Sequence, residues 1–538
     1  MLHQLQSFAE NSRSTTSQTL QAALRKVTTT EVNRRGILKG AAGFVLAAHF
    51  MPGTAQAFEA YPTQGLNMPN GVRNDPHIFV SIAADGQVTI IAHRSEMGTG
   101  SRTSLPMIIA DEMEADWDRV TIVQAEGDEP KYGNQDTDGS RSLRHHIQPC
   151  REIGAAVRKM LEMAAAKKWG VSDDMVEATG HQVVHKTLGT RIGYGDLADA
   201  AMALETPARD QLRFKTEQEF RYIGKGQVPI YDLHDITTGK AVYGADVNLP
   251  NMKFAVIARP PVVGATIKSV DDSAALAVPG VEKIIQIPVT PLGSKFKPLG
   301  GVAVIAKNTW AALQGRDALK IEWDRGEHGS FNTADYEKEL RASVAQPGAS
   351  VRNQGDTEAA LKSAARTLTY EYYQPHLAHA PMEPPAAVAA FKDGKCEIWA
   401  PVQSPYTART DTAEYLGLKP DDVRVNVTLL GGGFGRKSKA DFATEAAFLA
   451  KEVGGSVKVQ WTREDDIRNG YSHTSSVERI DVGLDADNKV TAWRHRSAAP
   501  SFLSTFVKDE GNQHEIEIGM GLENLPYALP NVSAEQCK

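Results

Sequence analysis

The chain has 538 residues, 41% hydrophobic and 23% charged, ordinary globular usage that excludes a disordered, collagen-like or polytopic membrane chain. A formal net charge of −7 gives no whole-chain case for nucleic-acid binding. The three cysteines, Cys150, Cys396 and Cys537, form no CxxC pair, which argues against a cysteine-ligated iron–sulfur cluster or structural zinc within this chain.

At ~150 residues per domain the length predicts three or four domains. The first segment, residues 1–57, reads as a twin-arginine signal peptide. Asn33-Arg34-Arg35-Gly36-Ile37-Leu38-Lys39 precedes an apolar run, Pro52 ends any helix, and Ala55-Gln56-Ala57 supplies a small-x-small cleavage signal. The apolar run falls short of the ~20 residues that a spanning helix needs. Twin-arginine export carries folded proteins. The leader therefore predicts a periplasmic location, or the periplasmic face of the cell envelope, and a cofactor inserted before export.

Residues 58–213 read as mixed α/β. His77 to His93 predicts two strands around an Asp85-Gly86 turn. Arg94-Ser95-Glu96-Met97-Gly98-Thr99-Gly100 then leads into a helix predicted through Asp116. Val120 to Gln124 predicts a strand. Thr137-Asp138-Gly139-Ser140-Arg141-Ser142 precedes a helix whose periodicity runs to Trp169. Thr, Asp and Ser are good caps, so capping alone accounts for that loop. Residues 214–330 are strand-rich and broken by prolines, with a strand and a short helix over Ala303 to Lys320. Residues 331–538 open on a polar stretch and then alternate strands and helices.

The last segment carries the most informative element. Val423 to Leu430 predicts a strand, Gly431-Gly432-Gly433-Phe434-Gly435-Arg436-Lys437 follows, and Ala440 to Val453 predicts a helix. Strand, glycine turn and helix start together make an anion cradle, because backbone N–H groups converge and the helix dipole favours negative charge. Arg436 and Lys437 would add positive charge. A tight turn with a solvated basic end accounts for the same residues. The element is neither a Walker loop nor GxGxxG. Three glycine-bearing loops suggest a large phosphorylated or pterin-like ligand.

The remaining polar features carry less. His145 and His146 are adjacent and point to different faces of a helix. His376 and His379 sit in a proline-rich extended loop. Glu464-Asp465-Asp466 reads as a solvated acidic turn. No GxSxG or HExxH is present.

Together these residues resemble the molybdenum-cofactor-binding large subunit of the xanthine oxidase family, of the isoquinoline 1-oxidoreductase beta-subunit and membrane-associated aldehyde dehydrogenase type. The resemblance rests on Arg94 to Gly100 and Leu105-Pro106-Met107, on Thr137 to Arg144, and on Thr238-Gly239-Lys240-Ala241-Val242-Tyr243-Gly244-Ala245-Asp246-Val247. It also rests on His379-Ala380-Pro381-Met382-Glu383-Pro384, on Gly431 to Lys437, and on Val457 to Asp465. It spans about 70 to 530.

The resemblance implies a mixed α/β, α+β multidomain fold. Cofactor-binding segments at 58–213 and 331–538 would flank an α/β hammerhead domain at 214–330. It implies a molybdenum held by pterin sulfurs with no protein metal ligand, the pterin extended as a cytosine dinucleotide. Gly432, Gly433, Phe434, Gly435 and Arg436 would line the molybdenum and pterin. Gly98, Thr99 and Gly100 would touch the pterin, and Gly139, Ser140 and Ser142 would bond its pyrophosphate or pterin. It implies hydroxylation of an aldehyde or N-heterocycle with water-derived oxygen, a small partner subunit with [2Fe–2S] clusters, and a cytochrome c acceptor.

Three departures qualify this. Thr99 stands where many relatives have glutamine, and it can donate one hydrogen bond but reaches less far. The glutamine expected near the metal would fall near Leu377, which cannot donate. The family's glutamate general base lies in a Gly-Gly-x-Gly-Glu-like motif some 200 residues beyond the glycine turn. No such motif is present before Lys538; Glu383 and Glu535 do not match it, and the domain at 331–538 is expected to be incomplete. A non-catalytic cofactor- or partner-binding subunit is the alternative, and a nucleotide-phosphate enzyme using the glycine turn is a third reading.

Overall fold

The structure, a computed structural model, describes residues 70–537 except 292, 507–512, 514, 519 and 520. The predicted signal peptide lies outside the described residues.

The N-terminal body is a three-stranded sheet under two helices. Strands β1 (Val80–Ile82) and β2 (Val88–Ala92) pair antiparallel around the predicted Asp85-Gly86 turn, and β2 pairs parallel with β3 (Val120–Gln124). Helix α1 (Ser101–Glu112) and helix α2 (Arg141–Trp169) cross closely. A Cβ on Gly154 would stand 2.5 Å from the Ile109 carbonyl, so only glycine allows that approach. Ile82, Ile90, Leu105, Ile109, Met113, Ile153 and Leu161 fill the core. The strap 213–223 is bound to this body through buried Asp111, which accepts N–H groups from Arg221, Tyr222 and Ile223 and the Lys215 ammonium at 2.8 Å.

A seven-stranded sheet forms the second body. Its strands are β4 (Lys253–Ala258), β5 (Val281–Ile287), β6 (Gly301–Ala306), β7 (Ala386–Lys392), β8 (Lys395–Ala400), β9 (Val423–Val427) and β10 (Ser456–Gln460). The spatial order is β9-β8-β7-β10-β4-β6-β5. The sheet therefore runs across the expected boundary at 330: β10 pairs parallel with β4, so residues 214–330 do not close on themselves. Every residue of β6 is buried, the continuous apolar pattern of a covered central strand. Helices α3 (Pro405–Leu416) and α4 (Asp441–Val453) cover one face, with Phe442, Ala443, Ala446, Leu449 and Trp461 in the core. A five-stranded sheet built from 349–374 and 476–537 follows, in the order 349–354, 532–537, 490–498, 476–484, 366–374.

The predicted strand 423–430 ends early, at Val427. Leu429 and Leu430 leave the sheet to bond elsewhere: Leu429 pairs with Tyr243, and the Leu430 N–H donates to the Glu96 carbonyl at 3.0 Å. Further bonds across the same seam join Gly127 to Val425 and Ser95 to Val402. The seam places the glycine turn beside the N-terminal loops. Among the described residues no helix is long and apolar enough to cross a membrane.

Candidate functional site

Three loops far apart in sequence meet at this seam around a cavity of about 590 Å³. It is lined by Met97, Thr99 and Ser101, by Thr137 to Ser140 with Ser142 and Leu143, and by Gln403, Phe434 and Gly435.

The first loop is folded by its own glutamate. Buried Glu96 accepts from the N–H groups of Gly98 (2.8 Å), Gly100 (2.9 Å) and Arg102 (3.0 Å). These are the N–H groups that an anion at the start of α1 would use, so that place is filled from within. Gly98 and Gly100 have φ of +97° and +76°, conformations that favour glycine. Thr99 reaches the cavity.

The second loop is left open. Ser140, at φ +55°, precedes α2 without any side-chain cap. The 29-residue helix thus begins at the cavity wall, where the Arg141 N–H donates to the Asp138 carbonyl at 3.0 Å and no side chain caps the N–H groups that follow. Ser142 Oγ accepts from Arg94 Nε at 3.1 Å. Arg94 is fully buried, bonded to Asn134, and its Nη2 has no partner. Burial lowers its pKa to about 10. An uncapped helix start backed by a buried guanidinium suits a phosphate.

Gly432, Phe434 and Gly435 take φ of +89°, +53° and +92°. A non-glycine residue in that region stores of order 1–3 kcal/mol. The strain holds the Phe434 ring out, 65% exposed, between this cavity and a second of about 660 Å³. A Cβ on Gly433 would lie 2.5 Å from Gln403 Oε1 and 3.1 Å from Met97 Sδ.

Gln403 ties the loops together. Its amide donates to the Thr137 carbonyl (2.8 Å) and accepts from the Gly435 N–H (3.0 Å), while its backbone bonds Thr137 and Lys437. Sequence reasoning missed it and looked for an amide near Leu377. Leu377 is an exposed residue bridged to His473, outside both linings. The available signal was position: Gln403 stands just past the C-terminal end of β8, where open α/β sheets bind ligands.

Arg436 requires a correction. Its guanidinium faces the core, in a bidentate pair with Asp441 (2.8 Å at each Nη) and over the Trp461 ring. It does not line the cavity. Lys437 is equally buried, on Glu383 at 2.6 Å. Glu383 also accepts from the Gly431 and Ala245 N–H groups. The basic pair therefore anchors the turn. Nor does α4 begin at the turn, because a short 3-10 stretch, Arg436–Ser438, intervenes.

The second cavity holds His376, His379, Phe296, Lys439, Tyr471 and His473. The His379 and His473 rings stack with centroids 4.5 Å apart. Burial first, then His473, Arg436 and Lys439, lowers the His379 pKa to about 4, so this imidazole is neutral near pH 7. His145 and His146 are both buried in α2. Among the described residues no group of three or more His, Cys, Asp or Glu is arranged to hold a metal.

A site of this build, an uncapped helix start and two glycine-bearing loops at the seam of two bodies, suits a large, anionic, hydrogen-bonding ligand. Two family models, both described as molybdopterin cofactor-binding domain, match residues 20–243 and 338–535, well over half of the chain. The chain is 28% identical over 535 residues to isoquinoline 1-oxidoreductase subunit beta of Brevundimonas diminuta, covering 90% of this chain and 66% of that one. It is 31% identical over 476 residues to a membrane-bound aldehyde dehydrogenase (pyrroloquinoline-quinone) of Gluconacetobacter polyoxogenes, covering 87% and 60%. Quinoline 2-oxidoreductase from Pseudomonas putida 86 aligns at a TM-score of 0.46 and 20% identity, over 57% of this chain and 43% of that one. The chain belongs to the xanthine oxidase family of molybdopterin-binding large subunits. It spans less than two thirds of the length of these two curated relatives.

Proposed function

We propose that the chain is the cofactor-binding part of a molybdenum hydroxylase that oxidises an aldehyde or N-heterocycle with oxygen from water. The observation that carries this is the convergence of the uncapped start of α2, the Met97–Ser101 loop and the glycine turn on one cavity, in a chain of this family. The residues fit the cofactor. Gly139, Ser140 and Ser142 at the helix start would hold its phosphates, with Arg94 behind them. Thr99, Gln403 and Gly435 would face the pterin, with Gly432 and Gly433 behind them outside the lining, and Phe434 would separate it from the second cavity. The cofactor, when bound, supplies the redox chemistry, and the protein supplies orientation and electrostatics. Asp138 is the one carboxylate among the described residues lining the two cavities, and it is engaged with Arg141 at 3.0 Å. No general base is assigned.

The cytosine dinucleotide form, the small [2Fe–2S] subunit, the cytochrome c acceptor and twin-arginine export belong to the same proposal. Their support is the family membership, the scarcity of cysteine and the Arg34-Arg35 leader. The test is metal and pterin analysis after co-expression with the maturation machinery and a small partner. About one molybdenum and one pterin per chain are expected, with cytidine monophosphate released on hydrolysis. Metal-free chain after verified maturation overturns the reading.

A further inference from the structure

Among the described residues that line the second cavity, Lys439 is the one with a formal charge, and it points into aromatic walls. Lys439 Nζ lies 4.4 Å from the Phe296 ring centroid and donates to Ser438 Oγ at 2.8 Å. Among the described residues no carboxylate is within ion-pair distance of it, and no Asp or Glu lines this cavity. Burial, then the nearby Arg436, lowers its pKa, and the carboxylates of Asp138, Asp441 and Asp136 act from beyond ion-pair distance without offsetting this. Several of the other polar groups are engaged with one another. Tyr471 Oη is bound to Ser294 Oγ and to the Lys297 carbonyl, each at 2.7 Å. His379 and His473 are stacked on each other. Phe296, Phe434 and Phe502 give flat apolar surface.

We propose that this cavity takes a planar aromatic carboxylate, with its ring against Phe296 and Phe434 and its carboxylate on Lys439. An ammonium beside a carboxylate in a partly water-excluded site makes a charge-assisted bond that a neutral analogue cannot make. The inference rests on the reading of this cavity as the substrate side of the molybdopterin site.

Benzoate and benzamide are the probes, one charged and one neutral at nearly equal shape. Isothermal titration of the purified protein, with molybdenum measured beforehand, is expected to give benzoate about tenfold tighter binding than benzamide, a difference of ~1.4 kcal/mol. Lys439→Met should bring the two affinities to near equality, and Lys439→Arg should keep most of the preference. Lys268→Met, on an exposed ribbon, controls for general loss of charge and should leave the ratio alone. Equal affinities in the unaltered protein overturn the inference. So does a Lys439→Met protein that keeps the preference, or one that loses molybdenum instead, which assigns the lysine to the cofactor. Titration needs no turnover. Metal-free protein that prefers benzoate therefore counts against the cofactor reading alone, and loaded protein without the preference counts against this inference alone.

Discussion

A methyl group at Gly433 would stand 2.5 Å from Gln403 Oε1 and 2.9 Å from its Cδ. The amide would have to turn, releasing the Thr137 carbonyl and the Gly435 N–H together. Gly433→Ala is therefore expected to fold and to lose most of its molybdenum, read by metal analysis against the unaltered protein. Glu383 acts one step further back. Its carboxylate holds Lys437, Gly431 and Ala245 at once. Removing one partner of a buried pair costs about 3–5 kcal/mol, so Glu383→Ala should lower the midpoint of denaturant unfolding accordingly. Arg436→Met should also cost stability, because Asp441 is left buried without its partner, although the guanidinium never reaches the cavity. Charge was the misleading signal here. Two basic residues after a glycine turn read as a phosphate clamp, and only packing shows that both side chains turn inwards onto acids 54 and 5 positions away.

At the scale of elements, the strap 213–223 depends on one carboxylate. Burial works to raise the Asp111 pKa, but the Lys215 ammonium and three backbone N–H groups outweigh it and hold the value below the ordinary carboxyl range. The stabilisation is therefore complete above the unfolded carboxyl pKa of ~3.9 and is lost as pH falls through the lower folded value. Hydrogen exchange of the strap is expected to accelerate only under acid conditions, and in Asp111→Asn it should be fast at neutral pH as well. Local elements were well marked in the sequence. The β1–β2 turn, β3 and the C-terminal ends of α2 and α4 follow from periodicity and turn residues. What periodicity could not show was pairing at long range. Nothing within residues 253–258 announces a partner at 456–460, and nothing in Val423 to Leu430 announces that its last residues leave the sheet.

The whole molecule has separate apolar cores joined by a seam of polar bonds. Bodies with their own cores unfold independently when the contact between them is weak. Calorimetry of cofactor-free protein is expected to resolve two transitions. A ligand that touches both sides stabilises the joined state by mass action, so loaded protein should merge them into one at higher temperature. A single unchanged transition in both forms would contradict a cofactor bound across the seam. The three glycine-bearing loops were visible individually in the sequence. Their meeting was not, because it depends on the Gln403 side chain and on backbone bonds such as Gly127 to Val425 and Leu430 to Glu96, between residues far apart in the chain.

That separation also orders events in time. Synthesis runs from the N-terminus, and a chain emerging from the ribosome reaches residue 143 with two of the three walls in hand. It has no third wall until Gly435 has emerged and β10 has found β4. The bonds that fold the first loop, from the Gly98, Gly100 and Arg102 N–H groups to Glu96, lie within residues 96–102 and need no late part of the chain. A half-made chain thus has the start of α2 with nothing opposite it, and the pocket is complete only when the late part of the chain docks. A cofactor held by all three walls would therefore load after synthesis, onto a finished or nearly finished molecule.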